Sequence, residues 1–159
     1  MEDILVLALD PGRTTGIAVG RKTERSLKID YFQEEFEHHP LYDYLESLGH
    51  LFLNHIICES FEFRQGKQTG VDLYPCELIG VVKLFQSQWS DITLTMQPAS
   101  VQGKQAYFSN DKLKDMKLYK RGEQYHHGRS AVKHLLQWFH FGAGFKYMEG
   151  FDGTVQIAN

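Results

Sequence analysis

The chain has 159 residues, 42% hydrophobic and 13% aromatic, which is enough for one hydrophobic core and too short for two domains of ordinary size. No run reaches the roughly 18 consecutive apolar residues of a membrane span, and Met1-Glu2-Asp3-Ile4 lacks the basic start of a secretion signal, so a soluble, intracellular protein with no membrane partner is expected. The formal charge of −3 excludes a uniformly basic nucleic-acid binder, but it averages two unlike segments.

Asp30 to Glu46 contains six acidic residues and no Lys or Arg, whereas Lys104 to Lys133 carries eight Lys or Arg against three Asp or Glu. One side of the molecule is therefore expected to face a polyanion, the plain alternative being a solvated basic face. Two cysteines, Cys58 and Cys76, are too few for a disulfide framework and lack the spacing of a zinc site. They read as reduced, at least half-buried thiols.

In chain order, Ile4 to Leu9 is an apolar strand that ends at Asp10-Pro11-Gly12, and Gly16 to Val19 begins a second strand after a tight turn. Leu27 to Phe32 alternates and completes an antiparallel meander. After Pro40, apolar residues at Leu41, Tyr44, Leu45, Leu48, Leu51 and Phe52 recur at the helical period. His55 to Glu59 is a strand that also ends on a carboxylate, and Ser60 to Gly70 is a loop. Tyr74-Pro75 opens a strongly apolar helix through Phe85, and Thr93 to Met96 is a further strand. Lys112 to Leu118 is the better helical candidate in the basic segment. His126 to His140 is the last helix, with Ala131, Leu135, Trp138 and Phe139 on its buried stripe.

This order predicts an α/β fold: a mixed five-stranded sheet with strands 1–3 antiparallel and helices packed on its faces. The expected organisation is a single domain over 1–159, with 142–159 a candidate flexible tail.

In such a sheet the ends of the first and fourth strands can lie side by side, bringing Asp10 and Glu59 together. Two converging carboxylates repel, so one is protonated or a divalent cation sits between them. For hard oxygen donors with open positions, Mg²⁺ or Mn²⁺ is the natural occupant. On the last helix His127, Ser130 and His134 share one face, and His127 is best placed to supply a third ligand. Each feature alone has an ordinary reading: Asp-Pro-Gly as a turn, Glu59 as a solvated strand end, His126 and His127 as helix-start residues.

The three segments together resemble the motifs of RuvC-type Holliday-junction resolvases. Leu7-Ala8-Leu9-Asp10-Pro11-Gly12-Arg13-Thr14-Thr15-Gly16-Ile17-Ala18 is similar to their opening motif, and Ile56-Ile57-Cys58-Glu59 to their second. His127-Gly128-Arg129-Ser130-Ala131 is similar to the last, in which an acid or His precedes an Asp-Ala pair by three residues. The resemblance implies an RNase H-like fold, paired nicking of four-way junctions by a homodimer, and one or two Mg²⁺ or Mn²⁺ ions per site. The compact versions it most resembles are encoded by bacteriophages, which implies the cytoplasm of a bacterial host.

Carried over, Asp10 would bridge both metals, Glu59 would hold one, and His127 would stand at the third ligand. Ser130 departs from the pattern, because a neutral hydroxyl stands where the family has a carboxylate. Either His134 or His126 compensates, or a second metal binds only with the DNA phosphate, or activity is reduced or redirected.

Substrate contacts are expected from Lys104, Lys112, Lys117, Lys120, Arg121 and Arg129, which can hold phosphates without reading sequence. Arg13 in the opening motif joins them. The loop containing Phe61, Phe63, Arg64 and Lys67 is a candidate wedge at the branch point, the plain alternative being that its aromatics cover the core edge. The helix after the second motif is apolar on more than one face, which suits a dimer contact or full burial.

The competing readings are an RNase H-like nuclease acting on RNA precursors, a weakened protein that binds junctions without cutting, and a fragment of a sugar-kinase or actin-like ATPase. The last needs a second nucleotide-binding half, so no nucleotide cofactor is expected.

Overall fold

The computed structural model describes residues 3–49, 51–62 and 70–159. Its frame is a strand so apolar that both of its faces must be covered. β1 (Ile4–Asp10) is buried at all seven positions. Ile4, Val6 and Ala8 enter one hydrophobic cluster, and Leu5, Leu7 and Leu9 enter another on the opposite face. This is the two-face alternation of a central strand.

β2 (Thr15–Lys22) and β3 (Ser26–Glu34) continue from β1 as an antiparallel meander, as predicted. β4 (Leu53–Glu59) pairs with β1 in parallel, and β5 (Thr93–Gln97) extends the sheet beside β4. The strand order is β5-β4-β1-β2-β3-β6. The sixth strand is the difference from the five expected: β6 (Thr154–Ile157) pairs in parallel with β3. It lies in the stretch read as a candidate flexible tail, where four alternating residues after a glycine-rich run are too short to stand out from a loop.

α1 (His38–Gly49) and α2 (Tyr74–Gln88) cover one face. α1 buries Leu41, Leu45 and Leu48, and α2 buries Leu78, Ile79, Val82 and Phe85. The apolar period predicted to run on through Leu51 and Phe52 does not. The helix ends at Gly49, Phe52 takes a positive φ of 67°, and Leu51 and Phe52 are exposed. α2 is likewise not buried all round, since Leu84 is exposed.

α3 (Asn110–Asp115) begins two residues before the expected start, because the Ser109 hydroxyl caps it by accepting from the Lys112 N–H. α4 (His126–Phe141) covers the other face of the sheet, and Ala131, Leu135, Trp138 and Phe139 are buried as predicted. Cys58 is buried and Cys76 half-buried, both free; burial pushes the Cys58 thiol up to about 12, which leaves it inert. Among the described residues no helix is long and apolar enough to cross a membrane.

Candidate active site

The site is a row of residues running across five strands. Gln97 pairs with Glu59, Asp10 pairs with Gly16, and Gly16 pairs with Gln33. Leu9 pairs with Cys58, so Asp10 and Glu59, one residue on, end adjacent parallel strands in register. The side-chain period of two puts Asp10 on the face of Val6 and Ala8, and Glu59 on the face of Ile57, which is the face that α4 covers. Their side chains are only 12% and 15% exposed.

α4 meets the row with two imidazoles. His127 Nδ1 lies 3.2 Å from Asp10 Oδ2, and the His127 backbone N–H donates to Gln33 Oε1 at 2.8 Å. Two turns later, about 10 Å along the axis, His134 lies fully buried, with Nε2 2.7 Å from Glu59 Oε2 and Nδ1 2.7 Å from Gln97 Oε1. Both ring nitrogens face oxygen. A protonated ring satisfies this by donating twice, and a neutral ring is satisfied once the Gln97 amide turns its NH₂ inward. His134 thus orients Glu59 instead of standing beside it as a further ligand.

Two glycines let the helix come this close. A Cβ at Gly16 would lie 1.9 Å from the His127 carbonyl oxygen, and one at Gly128 would lie 2.9 Å from the Phe32 carbonyl oxygen. The Gly16 of the opening motif therefore serves the last motif, by admitting the start of α4 over β2.

Ser130 is buried, and its hydroxyl donates to Gln102 Oε1 at 3.3 Å. His126 is exposed and, among the described residues, touches the site only through the His127 ring, edge to face at 5.1 Å. Among the described residues no three of His, Cys, Asp and Glu form a ready cage for a metal. The expected ligands Asp10, Glu59 and His127 are brought to one end of the sheet, but each carboxylate is held by its own imidazole. Asp10 Oδ1 and Glu59 Oε1 have no protein partner among the described residues. Sequence reasoning missed Gln97, Gln33 and Gln102; Gln97 directly follows an apolar strand, the same signal that picked out Glu59.

The hydrogen bond that His127 donates to the Asp10 carboxylate raises the pKa of His127 above the ordinary imidazole value, against the lowering effect of burial. The imidazolium–carboxylate pair stabilises the metal-free protein fully below the unfolded value of about 6.5, and that contribution is lost as pH rises through the raised value in the fold. In EDTA, the difference in urea midpoint between wild type and His127→Gln is expected to be larger near pH 6 than near pH 9. An equal difference at both would show that the pair does not form.

The basic segment divides into two groups. Lys104, Lys117 and Arg121 are exposed and their side chains have no partner among the described residues. Lys112 lies over the Tyr107 ring at 5.3 Å. Lys120 is bound to Asp30 at 2.7 Å and to the Tyr31 carbonyl at 3.0 Å. Arg129, expected to hold a phosphate, is instead buried, where its Nη1 donates to the carbonyls of Lys120 and Gly122 and its guanidinium lies over Tyr119. It fastens the basic segment to α4.

Arg13 pairs with Asp72 at 3.0 Å and stacks on Tyr74, a surface pair weak enough to be exchanged for a phosphate. Phe61 is half-buried against the α1/α2 side of the core, and Phe63, Arg64 and Lys67 lie outside the described residues.

A DNA-binding measurement over a range of salt would separate these two groups. Each phosphate contact contributes about 0.9 to the slope of log affinity against log salt on duplex DNA. Replacing Lys104, Lys117 and Arg121 together by Ala is expected to lower the slope by roughly 2 to 3, while Arg129→Ala lowers the melting temperature and leaves the slope near wild type. A slope change on Arg129→Ala alone would reverse this assignment.

No family model matches the chain, and no curated protein sequence matches it. Solved structures do match. RuvC from Thermus thermophilus aligns over 93% of this chain and 98% of its own with a TM-score of 0.64 at 15% identity. The same organism's RuvC in complex with Holliday junction substrate aligns over 92% and 96% with a TM-score of 0.65 at 13% identity. The fowlpox virus Holliday junction resolvase covers 86% and 98% with a TM-score of 0.54 at 11% identity. The chain has the RuvC-like form of the RNase H-like fold.

Proposed function

We propose that this protein is a structure-selective endodeoxyribonuclease that nicks branched DNA such as four-way junctions, with a divalent cation held at the Asp10–Glu59 end of the sheet. The observation that carries this reading is the pair of carboxylates on adjacent strands, both nearly buried, each anchored through one oxygen and each with the other oxygen free of protein partners among the described residues. The fold supports it, since solved structures that share the fold include a resolvase bound to its junction substrate.

The donor set fits Mg²⁺ or Mn²⁺, because Mg²⁺ is ordinarily bound through one or two carboxylates, waters and substrate phosphate, not by a cage built wholly of protein. Asp10 and Glu59 would hold the cation, with His127 as a third donor once it has released its proton. When bound, the ion lowers the pKa of a coordinated water and stabilises charge on phosphoryl and leaving oxygens. The protein's own residues prepare for this. His134 and Gln97 fix the Glu59 carboxylate, Gly16 sets the distance of α4, and Lys104, Lys117 and Arg121 offer cations to the phosphodiester backbone. Paired nicking requires two copies, and the exposed Leu73 and Leu84 at the two ends of α2 offer the apolar contact for a symmetric dimer.

The test is cleavage of a labelled synthetic four-way junction with Mg²⁺, Mn²⁺ or EDTA, against linear duplex and single-stranded RNA. Metal-dependent nicks confined to the junction are expected. Preference for RNA would replace this reading with one of an RNA-processing nuclease. A second reading, junction binding without cutting, is favoured by one feature, the hydroxyl of Ser130 at a position where the resembling family has a carboxylate. Ser130→Asp is expected to tighten Mn²⁺ binding in the absence of DNA by roughly tenfold, or 1.4 kcal/mol, by adding charge on the α4 face that carries both imidazoles. Unchanged affinity by calorimetry would show that position 130 does not see the ion.

A further inference from the structure

Beyond the carboxylate row, one surface combines stacking faces, hydrogen-bonding edges and positive charge. Tyr107 and Phe141 are 59% and 57% exposed, and their rings meet edge to face at 5.0 Å. Among the described residues they are the two large exposed aromatics in ring contact with each other. Beneath them the buried Phe108 supports both rings. An open cleft of about 290 Å³ lies against the pair and is edged by Ser100, Gln105 and Gln137. None of these three side chains has a hydrogen-bond partner among the described residues. Lys112 holds its ammonium over the Tyr107 ring, and Lys104 stands exposed two residues beyond Gln102.

We propose that this cleft takes one unstacked nucleobase of the DNA strand that passes the carboxylate site. The proposal rests on the nuclease reading above and adds a contact that the phosphate-binding cations do not provide. Aromatic faces stack on any base, the amides and hydroxyl meet base edges, and the two lysines hold the flanking phosphates. Position agrees with this. Gln102, which bonds Ser130, belongs to the same short helical turn as Ser100 (Ala99–Gln102), and Gln137 lies two turns of α4 beyond Ser130. That is about 10 Å along the helix, or roughly three base steps of a strand at 3.4 Å each. A fully paired duplex has no free base to place there, whereas the centre of a branch does.

The test compares a fluorescein-labelled oligothymidylate with an abasic strand of the same length, by anisotropy in EDTA with the full chain. Wild type is expected to bind thymidylate about tenfold more tightly than the abasic strand, in line with the effect of one base–aromatic stack. Tyr107→Leu and Phe141→Leu, which keep the apolar contact with Phe108, should each bring that ratio toward one without weakening abasic binding; Phe141→Tyr, which keeps a ring face, should preserve it. A wild-type ratio of one, or an unchanged ratio in both leucine variants, overturns the proposal. So does an unchanged ratio accompanied by loss of self-association in sedimentation, which would make the patch a protein contact. Junction cleavage by wild type is scored separately: its absence with the ratio intact counts against the nuclease reading, and its presence without the ratio counts against this cleft.

Discussion

Asp10→Asn should lower metal-dependent junction cleavage by about 10³-fold or more while leaving junction affinity within a few-fold of wild type. The substitution keeps the size of the side chain and an oxygen for His127 Nδ1, which now lies 3.2 Å from Oδ2, so the start of α4 has little reason to move. What it removes is the formal charge at the end of β1, where only 12% of the side chain meets solvent. A cation that Asp10 helps to hold would supply several kcal/mol of charge stabilisation to the reacting phosphodiester, and each 1.36 kcal/mol is a factor of ten in rate. The exposed Lys104, Lys117 and Arg121 are untouched, so binding measured in Ca²⁺ or EDTA should persist. The measurement pairs single-turnover cleavage of a labelled junction with anisotropy on the same substrate. Full cleavage by Asp10→Asn would remove the carboxylate pair from the mechanism. Loss of binding with metal affinity retained would place Asp10 in substrate recognition instead.

The parts of this site that were legible in the sequence share a physical origin. Asp10 and Glu59 each end an uninterrupted apolar run, and a charge directly after such a run has few places to go but the rim of the sheet. The helical period on α4 was long enough to put His127, Ser130 and His134 on one face. What the sequence could not show was which partner each group would meet. His134 and His127 look equivalent in one dimension, yet a displacement of two turns carries His134 from Asp10 to Glu59 and Gln97 and changes its role from candidate ligand to anchor. Arg129 was misread for the same reason. The carbonyls it satisfies, from Lys120 and Gly122, become neighbours only when the basic segment folds back on α4. Local period also misled at the end of α1, where Leu51 and Phe52 continue the spacing but lie beyond Gly49 and remain exposed. The amides Gln33, Gln97 and Gln102 carry no charge and no period, so only the strand register and the packing of α4 reveal them.

Gly16→Ala should be the most damaging single methyl group that this sheet can receive. The added Cβ would sit 1.9 Å from the carbonyl oxygen of His127 and 2.3 Å from its carbonyl carbon, both of them helix backbone that cannot rotate away. Relief requires the first turn of α4 to lift off β2, which breaks the Gln33 bond to the His127 N–H and draws the imidazole from Asp10. Overpacking of this kind ordinarily costs about 1 to 3 kcal/mol, and more where backbone must move, so about 3 kcal/mol or above is expected. At roughly 2 to 4 °C per kcal/mol for a chain of this size, the melting temperature should fall by about 6 to 12 °C. Gly80→Ala is the matched control. Gly80 lies within α2, and among the described residues nothing beyond its own helix backbone comes within 4 Å of its Cβ position, so alanine there should stabilise by up to about 1 kcal/mol. The two variants differ from wild type by the same atom and are expected to shift the melting temperature in opposite directions. If Gly16→Ala melts with wild type, α4 does not begin against β2, and the alignment of His127 with Asp10 falls with it; if it melts early and also loses cleavage at temperatures where it remains folded, the distance of the helix from the sheet is itself part of the site.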